Sequence, residues 1–212
     1  MKYEKLVNIY ENLEKTSKRL DKTKIISEFL KGIDKFSPML LLIQGRVFPP
    51  WDDSKLGIAS KLVVKSIAKA TGISTNKIES KWKTTGDLGK TAQETIGKKA
   101  QSTLFSKSLT VDKVYSNIIK LAKLEGMGSV ERKIELIAEL LTSASPIEAR
   151  YIVRTLLEDL RIGIGEGAIR DAIVWAFFGK EIKLKFEDEI EIENRETYVE
   201  AQNAVQQAYD IT

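Results

Sequence analysis

Residues 161–171 read Arg161-Ile162-Gly163-Ile164-Gly165-Glu166-Gly167-Ala168-Ile169-Arg170-Asp171, with three glycines on alternate positions and a helical apolar pattern after them. Glycine permits positive φ and leaves the backbone amides unshielded by a side chain. A helix that begins directly after such a loop presents unpaired N–H groups and the positive end of its dipole. The stretch therefore predicts a glycine turn that leads into a helix and can bind an anion, most often a phosphate.

A second copy of this pattern lies earlier in the chain. Residues 56–67 can be laid over residues 162–173 with the glycines and the apolar positions in register. A Ser-Pro pair opens the apolar segment before each glycine loop, at Ser37-Pro38 and at Ser145-Pro146. We interpret this as a degenerate internal duplication of a helix-loop-helix unit. Two phosphate sites on one scaffold suit a ligand with repeating phosphates, such as a nucleic acid backbone.

The periodicity of the apolar residues predicts an all-α protein, a compact multi-helix domain with pseudo-two-fold internal symmetry from the duplication. Ser145-Pro146-Ile147-Glu148 is typical of a capping box with proline at the first helical position, and Gly72 is typical of a helix end. Residues 181–193 alternate charged and apolar residues, so a strand and an extended linker both remain open. Helices are predicted over residues 2–20, 22–32, 58–71, 90–96, 111–124, 146–160 and 196–209. Further helices are predicted from a cap at Ser74 or Thr75 to residue 82, after the caps Ser37 and Ser129, and from the second glycine loop to about residue 178.

The amino-acid composition excludes several kinds of catalysis and several classes of protein. The 212 residues include no cysteine and no histidine, which excludes disulfides, thiolate chemistry and the commonest general base. No apolar run approaches the length of a membrane span, and the start of the chain lacks the apolar core of a signal peptide. Residues 46–123 carry fifteen Lys/Arg against six Asp/Glu, whereas residues 181–212 carry three against nine. A basic middle with an acidic tail indicates a surface that faces a polyanion.

Motifs for catalysis are missing from the sequence. Gly163-x-Gly165-x-x-Ala168 formally fits a dinucleotide fingerprint, but that fingerprint follows a strand, and here a helical pattern precedes it. The sequence contains no P-loop, and its carboxylates show no metal-ligand spacing, so we expect no metal site. Two classes remain: a DNA-binding module, and a helical protein-interaction scaffold whose glycines only permit close helix packing.

Several blocks of the sequence, taken in order, resemble one known family. They are similar to the N-terminal DNA-binding domain of archaeal and eukaryal-type ATP-dependent DNA ligases, and the likeness spans nearly the whole chain. The resemblance implies a helical domain that grips duplex DNA across the minor groove on both sides of a nick. The blocks are Gln44-Gly45-Arg46-Val47-Phe48-Pro49, Leu56-Gly57-Ile58, Thr85-Gly86-Asp87-Leu88-Gly89, Gly126-Met127-Gly128-Ser129 and the run from Glu148 to Glu166.

The resemblance also implies which residues contact partners. In archaeal members an exposed loop carries a short Gln-led motif that binds the sliding clamp of the PCNA type. Gln101-Ser102-Thr103-Leu104-Phe105 resembles that motif, with Leu104 where a bulkier residue is expected, so Gln101, Leu104 and Phe105 are the predicted clamp contacts. The residues expected to contact DNA lie in the glycine turns and at the helix starts: Arg161, Gly163, Gly165, Gly57, Ser60, Lys61, Gly86, Gly89, Gly128, Ser129 and Arg19.

The ligation reaction needs a lysine that takes AMP, in a K-x-D-G motif, and this motif is absent. The resemblance therefore implies a DNA-binding domain over residues 1–180, followed by an acidic linker and helix, residues 181–212, that lead into an adenylation domain. We expect no catalytic residue and no cofactor in this chain, whereas ATP and Mg²⁺ would serve the full-length ligase. The expected state is a cytoplasmic, nucleoid-associated monomer that acts in DNA replication, repair and recombination on nicked duplex.

Phe105→Ala should abolish capture of the chain by a sliding clamp and leave DNA binding intact, because the aromatic side chain stands out in a polar loop. A clamp pull-down and a duplex-binding titration check the two halves. Unfolding of the variant, seen by circular dichroism, would instead make Phe105 a core residue.

Overall fold

Eleven helices and one small hairpin make up the computed structural model, which describes residues 1–33, 37–98, 108–186 and 190–211. All-α is therefore the correct fold class for this chain. The helices are α1 (Tyr3–Lys15), α2 (Arg19–Lys31), α3 (Ser37–Ile43), α4 (Ser60–Thr71), α5 (Thr75–Thr85), α6 (Leu88–Ile96), α7 (Val111–Ala122), α8 (Ser129–Ser143), α9 (Pro146–Leu156), α10 (Glu166–Phe177) and α11 (Arg195–Ile211), and the strands are β1 (Leu184–Phe186) and β2 (Ile190–Ile192).

Local sequence signals explain several helix ends. The predicted capping box begins α9: Ser145 N donates to Glu148 Oε2 at 2.8 Å, and Glu148 N donates to Ser145 Oγ at 3.4 Å. Gly72 follows α4 with a φ of 73°, the left-handed conformation that glycine adopts without strain. Asp87 caps α6 by accepting a hydrogen bond from Lys90 N at 3.1 Å. These caps satisfy backbone groups that the helices themselves leave unpaired.

Several helix boundaries differ from the sequence prediction, among them the ends of α1 and α9. The first helix stops at Lys15, because Thr16 turns the chain: its hydroxyl accepts from Lys18 N at 3.1 Å and donates to Asp21 at 3.0 Å. The helix predicted to reach residue 160 ends at Leu156, and the segment after it includes two left-handed residues, Glu158 and Arg161. Residues 184–192 contain an antiparallel strand pair, which answers the choice left open for that segment.

The chain folds into two compact units, of which unit 1 comprises residues 1–8 and 45–161. Within it α4 packs against α8 and α6 packs against α9, through apolar residues that recur at helical spacing and are fully buried. The chain start is tied down by backbone hydrogen bonds from Tyr3 N to Leu109 O and from Val111 N to Met1 O. Unit 1 thus has a core of its own.

Unit 2 comprises residues 9–44 and 162–212. Here α2 packs against α10, and α10 packs against α11. The hairpin covers a small core around Trp175, whose ring meets the ring of Phe186 edge-on at 5.7 Å between centroids. The Tyr10 hydroxyl donates to Leu42 O at 2.9 Å, which ties α1 to α3. The predicted domain boundary near residue 180 stays a prediction.

The two units pair their helices in a matching way. In unit 1 the helix after the first glycine turn, α4, packs on α8, and in unit 2 the helix after the second glycine turn, α10, packs on α2. The helices α2 and α8 stand directly before Ser37-Pro38 and Ser145-Pro146, so they open the first and the second predicted repeat. Each glycine-turn helix therefore packs on the first helix of the other predicted repeat. The internal duplication itself stays a prediction. Within the described ranges, no helix combines the length and the hydropathy needed to cross a membrane.

Gly89→Ala should lower the free energy of unfolding by ~1–3 kcal/mol, since a Cβ at Gly89 would lie 2.7 Å from Arg150 O and 2.7 Å from Arg154 Cγ and would overpack the contact of α6 with α9. Thermal or urea unfolding measures the change. Gly165→Ala is the control for overpacking, because its φ of −93° suits alanine and a Cβ there meets nothing within 4 Å. It should lose only the smaller preference for glycine over alanine at an N-cap. A wild-type melting curve for Gly89→Ala would contradict the packing role.

Candidate nucleic-acid interface

The first glycine turn, residues 56–60, lies at the surface and leads into α4. Leu56 is buried and anchors the turn, while Gly57 is exposed with a φ of 59°. Ala59 is the N-cap residue, and no side chain among the described residues caps this helix start. Ser60 opens α4, and Lys61 beside it is exposed. The turn therefore offers uncapped backbone amides next to a basic side chain, which suits an anion.

The second glycine turn, residues 162–165, repeats this arrangement before α10. Ile162 is buried, and Gly163 is exposed with a φ of 58°. Gly165 is the N-cap residue in an extended conformation, and it too lacks a capping side chain within the described part of the chain. One feature differs: Glu166 places a carboxylate in the first turn of α10, whereas the first turn of α4 contains no acidic residue. The α4 turn is therefore the more favourable of the two for an anion.

Arg19 is fixed beside the second turn by a carboxylate. Its Nη2 lies 2.5 Å from Asp171 Oδ2, and a Cβ placed on Gly167 would lie 3.4 Å from the same nitrogen. Asp171 is buried and also accepts a hydrogen bond from Gln202 of α11 at 2.6 Å. The Arg19 side chain remains 62% exposed, so the ion pair orients the guanidinium without hiding it. This places Arg19 with Gly163 and Gly165 in unit 2, as one group of predicted DNA contacts.

A buried ion pair organises the predicted contacts around Gly86. Asp87 Oδ2 accepts a hydrogen bond from Arg154 Nη2 at 2.6 Å, and both side chains are almost fully buried. Arg161 Nη1 lies 3.8 Å from the same carboxylate oxygen, and Arg161 Nε donates to Asp159 at 2.8 Å. Arg161 takes a φ of 59°, which is uncommon outside glycine, and its side chain is 44% exposed. The carboxylate thus holds Arg161 at the surface of unit 1.

The charges around Asp87 also set its pKa. Burial opposes ionisation of the carboxyl, but the hydrogen bonds from Arg154 and from Lys90 N, together with the charges of Arg154 and Arg161, outweigh it. The pKa of Asp87 is therefore held below its ordinary value. The neighbouring glycines differ from each other: Gly86 is exposed with a φ of 65°, whereas Gly89 is buried against α9. Helix packing explains the glycine at 89, and its contact with DNA stays a prediction that this burial does not favour.

The remaining predicted DNA contacts, Gly128 and Ser129, begin α8. Gly128 is the N-cap residue with a φ of 75°, and the start of α8 has no side-chain cap among the described residues. The side chain of Arg132 donates to Met127 O at 3.1 Å and to Gly128 O at 3.4 Å, which holds the turn. Met127 itself is 97% exposed. The exposed helix start and the nearby guanidinium suit an anion, whereas Glu131 in the first turn of α8 opposes one, as Glu166 does in α10.

The structure thus brings the predicted residues together in groups inside each unit. Gly128 and Ser129 lie at the same end of the α4–α8 pair as Gly57, because Lys133, one turn further along α8, donates to Leu56 O at 3.3 Å. Three residues predicted to bind a sliding clamp, Gln101, Leu104 and Phe105, lie outside the described residues. No group of three or more potential metal-ligating side chains occurs in the ranges that the structure describes.

The sequence prediction missed four residues that shape these sites. Asp87 and Arg154 were not predicted as a pair, although Asp87 stands at a position typical of an N-cap. Lys22 and Lys133, which lie against the glycine turns, were not predicted either. Their signal in the sequence is weak, because a single lysine in the first turns of a helix is ordinary.

Comparison with known proteins fits this geometry. The family described as "DNA ligase N terminus" matches residues 2–174. The chain belongs to this family. The chain is 46% identical over 179 residues to a DNA ligase of Methanobrevibacter smithii, covering 84% of this chain and 32% of that protein. It is 47% identical over 178 residues to a DNA ligase of Nanoarchaeum equitans (84% and 31%), and 38% identical over 181 residues to one of Nitrosopumilus maritimus (84% and 31%). The matched part of this DNA ligase N-terminal domain spans about a third of each relative.

Asp87→Asn should lower the free energy of unfolding by about 3 kcal/mol at pH 7, because it leaves Arg154 buried without its counter-charge. The pKa of Asp87 is lower in the folded state than in the unfolded chain, where it is about 4. The ion pair therefore stabilises the folded state fully at any pH above about 4. That stabilisation is lost as the pH falls through the lower folded-state pKa. Urea unfolding of both proteins between pH 7 and pH 3 measures the difference.

Asp159→Asn is the matched control for this experiment, because Asp159 pairs with Arg161 at the surface and should contribute little. Equal pH dependence of wild type and Asp87→Asn would refute the role of this carboxylate.

Proposed function

We propose that this chain is the DNA-binding part of an ATP-dependent DNA ligase and grips nicked duplex DNA by backbone phosphates across the minor groove. The observation that carries the proposal is the pair of exposed glycine turns, each leading into a helix whose start no described side chain caps. Such turns bind oxyanions through backbone amides. Membership of the DNA ligase N-terminal family and relatives named DNA ligase support DNA as the source of those oxyanions.

The residues at the turns favour phosphates over bases as the contacted groups. Gly57 and Gly163 carry no side chain that could read a base edge, and Lys61 and Arg19 are charge donors typical of phosphate contacts. The excess of nine positive charges over residues 46–123 adds a sequence-independent attraction to the duplex. Binding should therefore depend strongly on salt and little on base sequence.

The proposed roles in ligation and in clamp binding rest on the resemblance to DNA ligases. A lysine that takes AMP would lie outside these residues, because the chain contains no K-x-D-G. ATP and Mg²⁺ would act there, and this domain alone would bind a nick and seal nothing. Gln101, Leu104 and Phe105 would bring the ligase to a sliding clamp during replication and repair.

A titration with nicked, intact and single-stranded DNA tests the proposal. The chain should bind the duplexes, with log Kd rising linearly with log salt, and Kd should rise about a hundredfold between 50 and 200 mM salt for about four phosphate contacts. A scrambled duplex of equal length should bind equally well. Fluorescence anisotropy at several salt concentrations gives the values.

Absence of binding at low salt, or binding that salt leaves unchanged, would contradict the phosphate grip. That result would favour the alternative, a helical protein-interaction scaffold in which the glycines serve helix packing.

A further inference from the structure

A lysine supports each glycine turn from the neighbouring helix. In unit 2, Lys22 Nζ of α2 donates to Ile162 O at 2.5 Å and to Gly163 O at 2.9 Å. In unit 1, Lys133 Nζ of α8 donates to Leu56 O at 3.3 Å. In both cases the ammonium binds the carbonyl of the residue directly before the left-handed glycine. The two turns therefore share a lysine contact as well as a backbone conformation.

The two lysines also occupy matching places in their helices. Lys22 is the fourth residue of α2, and Lys133 is the fifth residue of α8. When the two lysines are aligned, the buried residues that follow come into register: Ile26 with Ile137, Ser27 with Ala138, and Leu30 with Leu141. The lysine is thus part of the matching packing geometry, since the same helix face that packs on α10 or α4 carries it.

Among the described residues, no carboxylate neutralises either ammonium. Lys22 is only 7% exposed, yet both of its side-chain partners are uncharged carbonyls, and no ion pair joins Lys22 or Lys133 to a carboxylate among the described residues. An ammonium has three donors, and two of those of Lys22 are used. A buried cation without an anion is unfavourable. A bound anion at the turn would supply the missing counter-charge.

The carbonyl contacts also orient the amides. Because a trans peptide unit is planar, its N–H points opposite to its C=O. Lysine binding to the carbonyls of residues 162 and 163 therefore directs the next two N–H groups away from the buried ammonium. The glycine at 163 lets the ammonium approach the turn, since a Cβ there would lie 3.2 Å from Lys22 Nζ. A Cβ on Gly57 would be in ordinary contact with Lys133 Nζ, at 3.6 Å.

We propose that Lys22 and Lys133 are paired phosphate-site residues. Each fixes its glycine turn through the preceding carbonyl and supplies the positive charge for one backbone phosphate of DNA. The proposal rests on the proposed function, and adds to it the residues that make each turn a charged site. It extends the site to α2 and α8, the helices against which α10 and α4 pack.

The test compares Lys22→Met and Lys133→Met with wild type on nicked duplex. Methionine keeps an unbranched apolar stem and removes the charge and the donors. Each variant should raise Kd about tenfold at low salt, because the site loses a positive charge close to the phosphate and the contact that orients the turn amides. Each should also reduce the slope of log Kd against log salt by the contribution of about one phosphate contact. Melting temperatures are measured in parallel.

Another lysine provides a matched control. Lys31 lies about 14 Å along α2 from Lys22, at the exposed far end of the same helix. Lys31→Met should leave the salt slope within error of wild type.

The outcomes separate this proposal from the proposed function. Steep salt dependence in wild type with unchanged Kd and slope in both variants would overturn the role of the lysines alone. Weaker binding with an unchanged slope would also overturn it, because it would make them purely structural. Absence of salt-dependent binding by wild type would overturn the proposed function itself. If Lys22→Met fails to fold, the test relies on Lys133→Met, since Lys133 is less buried. The readouts are again Kd and the slope of log Kd against log salt.

Discussion

A left-handed glycine followed by an uncapped helix start is the constraint on which both candidate sites depend. Gly57 and Gly163 take φ values of 59° and 58°, a region that residues with a Cβ adopt only with strain. This conformation turns the chain sharply enough for a buried aliphatic residue, Leu56 or Ile162, to be followed at once by an exposed backbone. The same turn leaves the amides at the start of α4 and α10 without a side-chain cap in the described structure. A helix start that natural sequences usually cap is thus kept available for a ligand.

Helix pairing supplies the second half of each site. Because α4 packs on α8 and α10 packs on α2, each turn lies next to the first residues of another helix. That neighbour contributes what a bare turn lacks, which is positive charge on a long side chain. The pairing also crosses between the predicted repeats, since each glycine-turn helix packs on the opening helix of the other one. A duplication of this kind would make each repeat dependent on its sister for a complete site, although the duplication itself remains a prediction.

The sequence predicted the helices and their caps better than the contacts between residues that are distant in the chain. The capping box at Ser145 and the glycine stop at residue 72 were predicted correctly because their causes are local in the chain. The end of α1 was missed because the Thr16 side chain, bonded to Asp21, ends a pattern whose apolar period continues. The left-handed Arg161 was also missed, since nothing in its neighbours demands that conformation. The glycine turns were found from sequence, but their lysines were not, because a contact between residues 22 and 162 leaves no trace in a local pattern.

The buried charges among the described residues differ in their partners, and the difference bears on packing and binding. Arg154 is buried with a carboxylate partner, Asp87, so the desolvation of each charge is offset inside the protein. The Asp171 carboxylate is likewise matched by Arg19. Lys22 is buried to a similar degree with carbonyl partners alone. Carbonyls satisfy donors but do not neutralise charge, so a fold that needed only a turn-holding contact could use a neutral donor at this position. An ammonium there would be favourable if an anion bound at the turn. The uncompensated lysine therefore supports the proposed phosphate site, whereas packing accounts for the paired arginine.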